Sequence, residues 1–463
     1  MNQLMKQIFI LLTITITFTL GACGGRDEVA FPDPTGKGSI RMINAIKASS
    51  DITFKIQERF LATADYRSIT NLSEYDDLQY IFNFEVNYAG ATSATRFATK
   101  SLKMIIDTQQ TILLSGTLED PLVTVWETPK QNFEDGDLTF KVRFAHTAES
   151  YGNLDIYFVP QGDAPSLGEA IGTLAFGEIL PSVNLTAGGY VLTLTEAGLP
   201  GNIVFKSDSV SFLPGTQYTI TPFDGGENTS APIIVKSYST QSGVGNHVEA
   251  AILDANFPSK SEFIHASLTM NSVDIYDESI TSTSLPWVSG HNFKDVTNEV
   301  TLPLGSDPFV YVPAGLIAPE LINFVINEDG GIRARTLAVG SNNEFRASTY
   351  LPDRRPLDTA AKLQIYNSNT NFSALDIYIV EADTLIDEQS PIITELPKTT
   401  PTSAALLPAG NYDIFLTESS EKTILAGPIR LDAELGDVFG GIIYDMVDPA
   451  ILEFVLITEN QTP

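Results

Sequence analysis

One segment recurs four times along this chain, and an internal repeat limits the folds open to a sequence more than any single motif does. Val142 to Val159 reads VRFAHTAESYGNLDIYFV, and Leu363 to Val380 reads LQIYNSNTNFSALDIYIV with no gap. Glu262 to Tyr276 carries a third copy, opening with EFIHAS and ending with VDIY. Ile40 to Phe54 is a worn fourth, with IRMINA early and DITF at its end. The shared aspartates Asp51, Asp155, Asp274 and Asp376 lie 104, 119 and 102 residues apart, which predicts four domains in series. Length gives the same count independently, since 463 residues are too many for one core and suit three or four.

Each copy has the pattern of two β-strands joined by a loop. Side chains alternate between the faces of a strand, so Leu154, Ile156 and Phe158 share one side, and Asp155 and Tyr157 the other. Val142, Phe144 and His146 do the same upstream, before the polar run Thr147 to Asn153 turns the chain. No stretch shows an apolar stripe of helical period over three or more turns. Short strands with turns every eight to twelve residues, about seven per unit, predict an all-β chain of four tandem immunoglobulin-like β-sandwich domains. The expected boundaries are 39–129, 136–238, 259–352 and 359–459, with the Gly-, Ser- and Asn-rich stretch 239–258 as a linker. Hairpins are expected at 102–114 and 210–220, where a polar or Pro-Gly turn separates two apolar runs.

Charge and cysteine usage narrow the partners. Lys and Arg number 27 against 57 Asp and Glu, a net charge of −30. That field repels phosphate backbones, so nucleic acid is not an expected partner. The one cysteine, Cys23, excludes an intramolecular disulfide. It follows Lys6, the apolar run Ile8 to Phe18 and the small-residue sequence Leu20-Gly21-Ala22, a run too short to span a bilayer. This segment resembles the signal peptide and lipobox of bacterial lipoproteins. The resemblance implies removal of 1–22, a palmitate-bearing lipid on Cys23 and a membrane anchor. Gly24, rather than aspartate, after the cysteine implies an outer-membrane destination. Residues 23–38, rich in Gly and Pro, are expected to be a flexible tether.

The four copies also carry a wider resemblance. An Ala-His opening, then Leu-Asp-Ile-Tyr at 154–157, Leu-Ala-Phe-Gly-Glu at 174–178 and Leu-Thr-Ala-Gly-Gly-Tyr at 185–190 together are similar to the bacterial "domain of unknown function 4397". Copies two and four carry the motifs well, three in part and one weakly. The resemblance implies secreted or lipid-anchored sandwich modules and assigns them no chemistry.

Several polar residues recur at matching positions of the copies. His146 and His265 share a position with Asn44 and Asn367, and a site that accepts either residue type suits a side-chain hydrogen bond to a strand-end turn better than a metal. No metal site is expected, because zinc needs three or four ligands and only His247 and His291 remain. Asp51, Asp155, Asp274 and Asp376 are expected to fix the adjoining loops by accepting from backbone N–H groups, with a repeated cation site as the competing reading. Phe54, Tyr157, Tyr276 and Tyr378, two or three residues beyond them, are expected to pack across strands rather than stack on sugars. The acidic turns 134–137, 224–227 and 327–330 leave calcium between domains open, although none has the EF-hand spacing.

The sequence lacks the signatures of serine hydrolases, zinc proteases and phosphate-binding loops, and no cofactor is implied. The expected role is therefore a non-enzymatic envelope lipoprotein, a string of sandwiches for adhesion, scaffolding or binding of envelope or extracellular protein. The competing role is a polysaccharide-binding or polysaccharide-processing accessory, for which the segment 279–308, with Trp287, His291 and Asp295, is the divergent candidate.

Overall fold

The alternating runs form strands, and a computed structural model shows how they pair. It describes residues 33–459 apart from 131, 135, 163–168, 242–246, 277–279, 282, 303–307 and 327–329. Cys23 and the stretch 1–32 therefore lie outside the described residues, as does part of the acidic turns at 134–137 and 327–330. Among the described residues there are strands and turns and no helix.

The first unit shows the wiring. Its strands are β1 (Lys37–Asn44), β2 (Ile52–Ile56), β3 (Arg59–Ala64), β4 (Ser73–Asp76), β5 (Gln79–Val86), β6 (Thr95–Lys103), β7 (Thr108–Gly116) and β8 (Pro121–Pro129). One sheet has the order β4-β1-β7-β8 and the other β3-β2-β5-β6. Every pairing is antiparallel except β1 with β7. Three more pairs of sheets repeat this order along the chain. Their parallel pairs are Thr139–Phe144 with Thr216–Asp224, Lys260–His265 with Arg333–Ser341, and Ala361–Asn367 with Val438–Asp445. The count is thus eight strand positions per unit rather than seven.

Between the two sheets of each unit lies one apolar core. In the second unit it contains Val142, Phe144, Leu154, Ile156 and Phe158, the residues that alternation places on one face. Each such side chain, fully withdrawn from water, contributes about 1.5–3 kcal/mol. The fourth unit assembles Leu363, Ile365, Leu375, Ile377 and Ile414 in the same way. Tyr190 and Tyr412, from the Ala-Gly-x-Tyr motif, donate their hydroxyls to the carbonyls of Thr186 (2.9 Å) and Pro408 (2.8 Å), each four residues back. This tyrosine-corner arrangement pins the turn that enters the β5-equivalent strand.

Three expectations need correction. The hairpins at 102–114 and 210–220 do not form: β6 pairs with β5 and β7 with β1, so the turn between them crosses from one sheet to the other. Val210–Phe212 and Thr216–Asp224 are divided in the same way. Pattern and turn residues look the same whether a chain folds back beside itself or passes to the facing sheet. Most of the described residues of the expected linker 239–258 are strand. Ser239 to Gln241 end one strand, and His247–Ile252 pairs with it as an added edge of the second unit.

The third correction concerns the string. The β1-β7-β8 faces of units one and two meet, with Ile43, Leu113 and Trp126 against Ala145, Phe223 and Tyr238. The Trp126 indole donates to the Gly177 carbonyl across this seam (2.8 Å). Units three and four meet through the equivalent faces, with Ile264, Leu337 and Tyr350 against Tyr366, Ile442 and Tyr444. Unit two joins unit three where Ser230 N–H donates to the Gly331 carbonyl (2.6 Å). Gly331 has φ +76°, and a Cβ there would stand 2.7 Å from Ala231, so this approach requires glycine. Unit four returns to unit one, with Ala89 N–H donating to Thr359 O and Asp358 N–H to Ala48 O, both at 2.9 Å. The contacts form a closed circuit of four.

Candidate functional site

Three of the repeated aspartates hold loops, as expected. Asp274 Oδ1 accepts from Gly290 N–H and its Oδ2 from Gly315 N–H, both at 2.7 Å. Asp376 accepts from Glu395 N–H (2.8 Å) and Ser420 N–H (3.0 Å). Asp155 accepts from the Thr173 hydroxyl and from Gly198 N–H (2.7 Å). Gly198, Gly315 and Ser420 all follow the β5-equivalent strand by two residues and have φ of +74°, +76° and +66°. The buried carboxylate therefore fastens an exposed left-handed turn by accepting its N–H.

Asp51 does not belong to this set. The register Ile52↔Val86 matches Leu154↔Glu196, Val273↔Pro313 and Leu375↔Glu418, which gives the aspartate position to Thr53. Asp51 is exposed, two residues earlier. By the same register Phe54 takes a core position and Lys55 that of the tyrosines. Tyr157, Tyr276 and Tyr378 are buried, the last two in small clusters with Val310 and Val312 and with Val380, Ile386 and Phe415, so none offers a face to a sugar.

The His/Asn position makes one fork in different chemistries. Asn44 Oδ1 accepts from Ile46 N–H (2.9 Å) and its amide donates to Ala64 O (3.2 Å). Asn367 accepts from Asn369 N–H (3.2 Å) and donates to Leu396 and Pro397 carbonyls. His146 accepts at Nδ1 from Ala148 N–H (3.3 Å) and donates from Nε2 to Gly152 O (2.7 Å), which requires the neutral Nε2–H tautomer. His265 donates likewise to Asn271 O (3.1 Å). Burial lowers the pKa of both histidines. His291, on the strand Val288–His291, faces His265 with ring centres 6.0 Å apart, and burial together with His265 pushes it down to about 4. The segment 279–308 is no separate insert, since it supplies two ordinary strands of unit three, and Trp287 packs on Phe263 and Phe309 in the core.

The polar centre of the molecule is where the units converge. Arg355, on the connection between units three and four, donates to Lys47 O (2.9 Å), Ser49 O (2.6 Å) and Asp65 Oδ1 (3.1 Å) of unit one. Its guanidinium lies 5.3 Å from the Tyr66 ring, and that of Arg67 lies 4.5 Å from the same ring. Arg67 also donates to the carbonyls of Asp224 and Gly225, and Glu227 pairs with Lys47 (2.9 Å), so the acidic turn 224–227 serves the junction. Asp353 accepts from Asn228 (3.0 Å) and pairs with Lys362 (2.7 Å).

Two clefts flank Arg355. One, of about 360 Å³, is bounded by Tyr66, Arg67, Lys236, Asp254 and Asp353. The other, of about 610 Å³, is bounded by Asp51, Asp65, Asn87, Asp353 and Lys362. Asp51 is exposed to solvent within this cleft, and partial desolvation by the cleft walls together with the nearby Asp65 raises its pKa against the opposing pull of Arg355. Charged groups of both signs converge here on walls that are otherwise largely apolar, an arrangement in which the polar groups would orient a ligand. Sequence reasoning missed Arg67, Arg355 and Lys362, because nothing in strand period marks which polar residues face another unit.

Among the described residues no cluster of three or more His, Cys, Asp or Glu is arranged to hold a metal ion. None of the described segments is a helix long and apolar enough to cross a membrane, which says nothing of strands. No family model and no curated protein matches the chain. Sixteen solved chains are similar to it, among them the Bacillus anthracis TIE protein, 9% identical over 89% of this chain and 69% of that one, with a TM-score of 0.15. A likeness of that degree carries no argument about function.

Proposed function

We propose that this chain is a non-enzymatic cell-envelope lipoprotein. In this reading its four sheet pairs are immunoglobulin-like sandwiches of the kind implied by the resemblance to domain of unknown function 4397. Together they act as one rigid binding or scaffolding module, anchored in the outer membrane through lipidated Cys23. The observation that carries the reading is the closed circuit of unit contacts around Arg355. A chain that only spaced an adhesive tip from the surface needs no contact between its fourth unit and its first, whereas a preformed binding surface gains from one.

The junction clefts are the surface assigned to the partner, an envelope or extracellular protein or a polysaccharide. Two measurements test the parts separately. Labelled palmitate should enter the full chain and not a Cys23→Ser variant, and equal labelling of both removes the anchor. Immobilised full chain should bind purified envelope polysaccharide or surface protein, and Arg355→Met should reduce that binding at least tenfold. Binding unaffected by Arg355→Met places the partner elsewhere.

A further inference from the structure

The narrower of the two clefts beside Arg355, about 360 Å³, lies at the lower end of the roughly 300–1,000 Å³ that small-molecule sites occupy. Three units close it. Unit two supplies the floor. Ile233 and Val235 point into the core of that unit, so Ile234 and Lys236 point the other way, and the pairing Lys236↔Ala251 sets Ala251 beside them. Leu253, 44% exposed, continues the same apolar surface. Unit one contributes Tyr66 and Arg67, and Leu351, 51% exposed, faces the cleft from the end of unit three. Gly330 of unit three abuts Leu253, since its φ is +86° and a Cβ there would stand 2.8 Å from the leucine side chain.

The charges on these walls sort into pairs and a remainder. Asp65 pairs with Arg355 (3.1 Å) and Asp353 with Lys362 (2.7 Å). Three charged side chains lining the cleft have no ionic partner among the described residues. Lys236 is half-buried, and its ammonium makes no ion pair or hydrogen bond there. Arg67 donates to the carbonyls of Asp224 and Gly225 and meets no carboxylate. Asp254, 4% exposed, accepts from Asn256 N–H (2.9 Å) and pairs with no cation, so burial raises its pKa.

A charge partly withdrawn from water and left without a counter-charge is unfavourable, and a ligand group of opposite sign offsets that cost. The remainder here is two cations and one carboxylate beside an aliphatic surface. A simple carboxylic acid leaves Asp254 unanswered, and a simple amine leaves Lys236 and Arg67 so. The field of a chain with net charge −30 also disfavours a free anion. A zwitterion answers both signs and carries no net charge.

We propose that this cleft binds a free α-amino acid with an apolar side chain. Lys236 and Arg67 hold its carboxylate, Asp254 holds its ammonium group, and its side chain lies on Leu253 and Leu351. Charge-assisted hydrogen bonds at both ends fix its orientation. Because units one, two and three all contribute, the ligand stabilises the closed circuit by binding that form alone. This ligand class rests on the reading of the junction clefts as the binding surface, and polysaccharide or protein capture, read out with Arg355→Met, succeeds or fails independently of it.

Titration calorimetry of the purified full chain with L-leucine and L-phenylalanine should show one site per chain for at least one of them, and the same amino acid should raise the melting temperature. Its amide, which lacks the carboxylate, its N-acetyl form, which lacks the ammonium group, and glycine, which lacks the side chain, should each bind at least tenfold more weakly. Lys236→Met should weaken the amino acid at least tenfold and leave the amide unchanged. Asp254→Asn should weaken the amino acid likewise and leave the N-acetyl form unchanged. Should that variant not fold, Leu351→Ser, at an exposed position, should weaken the amino acid several-fold through the apolar wall. No heat and no melting shift with either amino acid, equal binding of the amide or the N-acetyl form, or an unchanged affinity in Lys236→Met would each overturn the proposal.

Discussion

Glu459→Gln should destabilise units three and four sharply although it removes no volume. Glu459 is 6% exposed at its side chain and accepts from Arg335 Nη1 at 2.7 Å and Arg354 Nε at 3.2 Å. Amidation leaves two guanidiniums, 2% and 4% exposed, with Glu262 as their main counter-charge. Removing one partner of a buried pair costs about 3–5 kcal/mol. The amide oxygen still accepts one hydrogen bond, which places the expected cost near the lower end, about 3 kcal/mol. For a cooperative block of about 200 residues that is a fall in melting temperature of roughly 6–12 °C. Scanning calorimetry reads it directly. Adding Arg354→Met, which removes the surplus cation, should restore part of the loss, because residues in one ion network couple. A Glu459→Gln variant that melts within a degree of the parent, or a double variant no more stable than the single, refutes the neutralised-seam argument. Burial raises the Glu459 pKa, but Arg335 and Arg354 outweigh it and the net pKa is lowered. Its stabilisation is therefore present above the ordinary glutamate value of 4.5 and lost as pH falls through the lower folded value.

The other expectations are smaller. Asp274→Ala should cost about 1–3 kcal/mol in chemical denaturation, since the N–H groups of Gly290 and Gly315 lose their acceptor, whereas Asp51→Ala should stay within about 0.5 kcal/mol. Equal effects of the two would undo the register assignment of Thr53. The lowered pKa of His291 keeps it neutral when folded, so its contribution is complete above 6.5 and is lost as pH falls towards about 4. Melting of a His291→Gln variant should accordingly show a flatter pH dependence than the wild type between pH 6.5 and 4.5, and parallel curves would remove the assignment.

Much of each unit was legible in the sequence. Strand alternation found the core at Leu154, Ile156 and Phe158, and an exchange of His for Asn named a hydrogen-bonding role that the forks at Asn44, His146 and Asn367 display. What alternation cannot tell is whether the second face of a strand meets water or another unit. Arg41 and Arg143 look like ordinary outward residues, and β1 is nevertheless buried on both faces. Asp-Ile-Thr-Phe at 51–54 imitates the Asp-Ile-Tyr of the other copies, and only the pairing of Ile52 with Val86 shows that Asp51 lies two residues before the shared position. The junction at Arg355 joins residues about 290 to 308 positions apart, a separation on which local pattern is silent.

Small-angle scattering on the soluble chain from residue 33 onward tests the closed circuit most directly. A compact body of this length has a radius of gyration of about 22 Å, whereas four separate units in a line would give roughly 40 Å. The account predicts a value in the low to middle twenties, unchanged by moderate salt. A value near 40 Å, or one that climbs steadily with salt, would show that the four units do not close on one another.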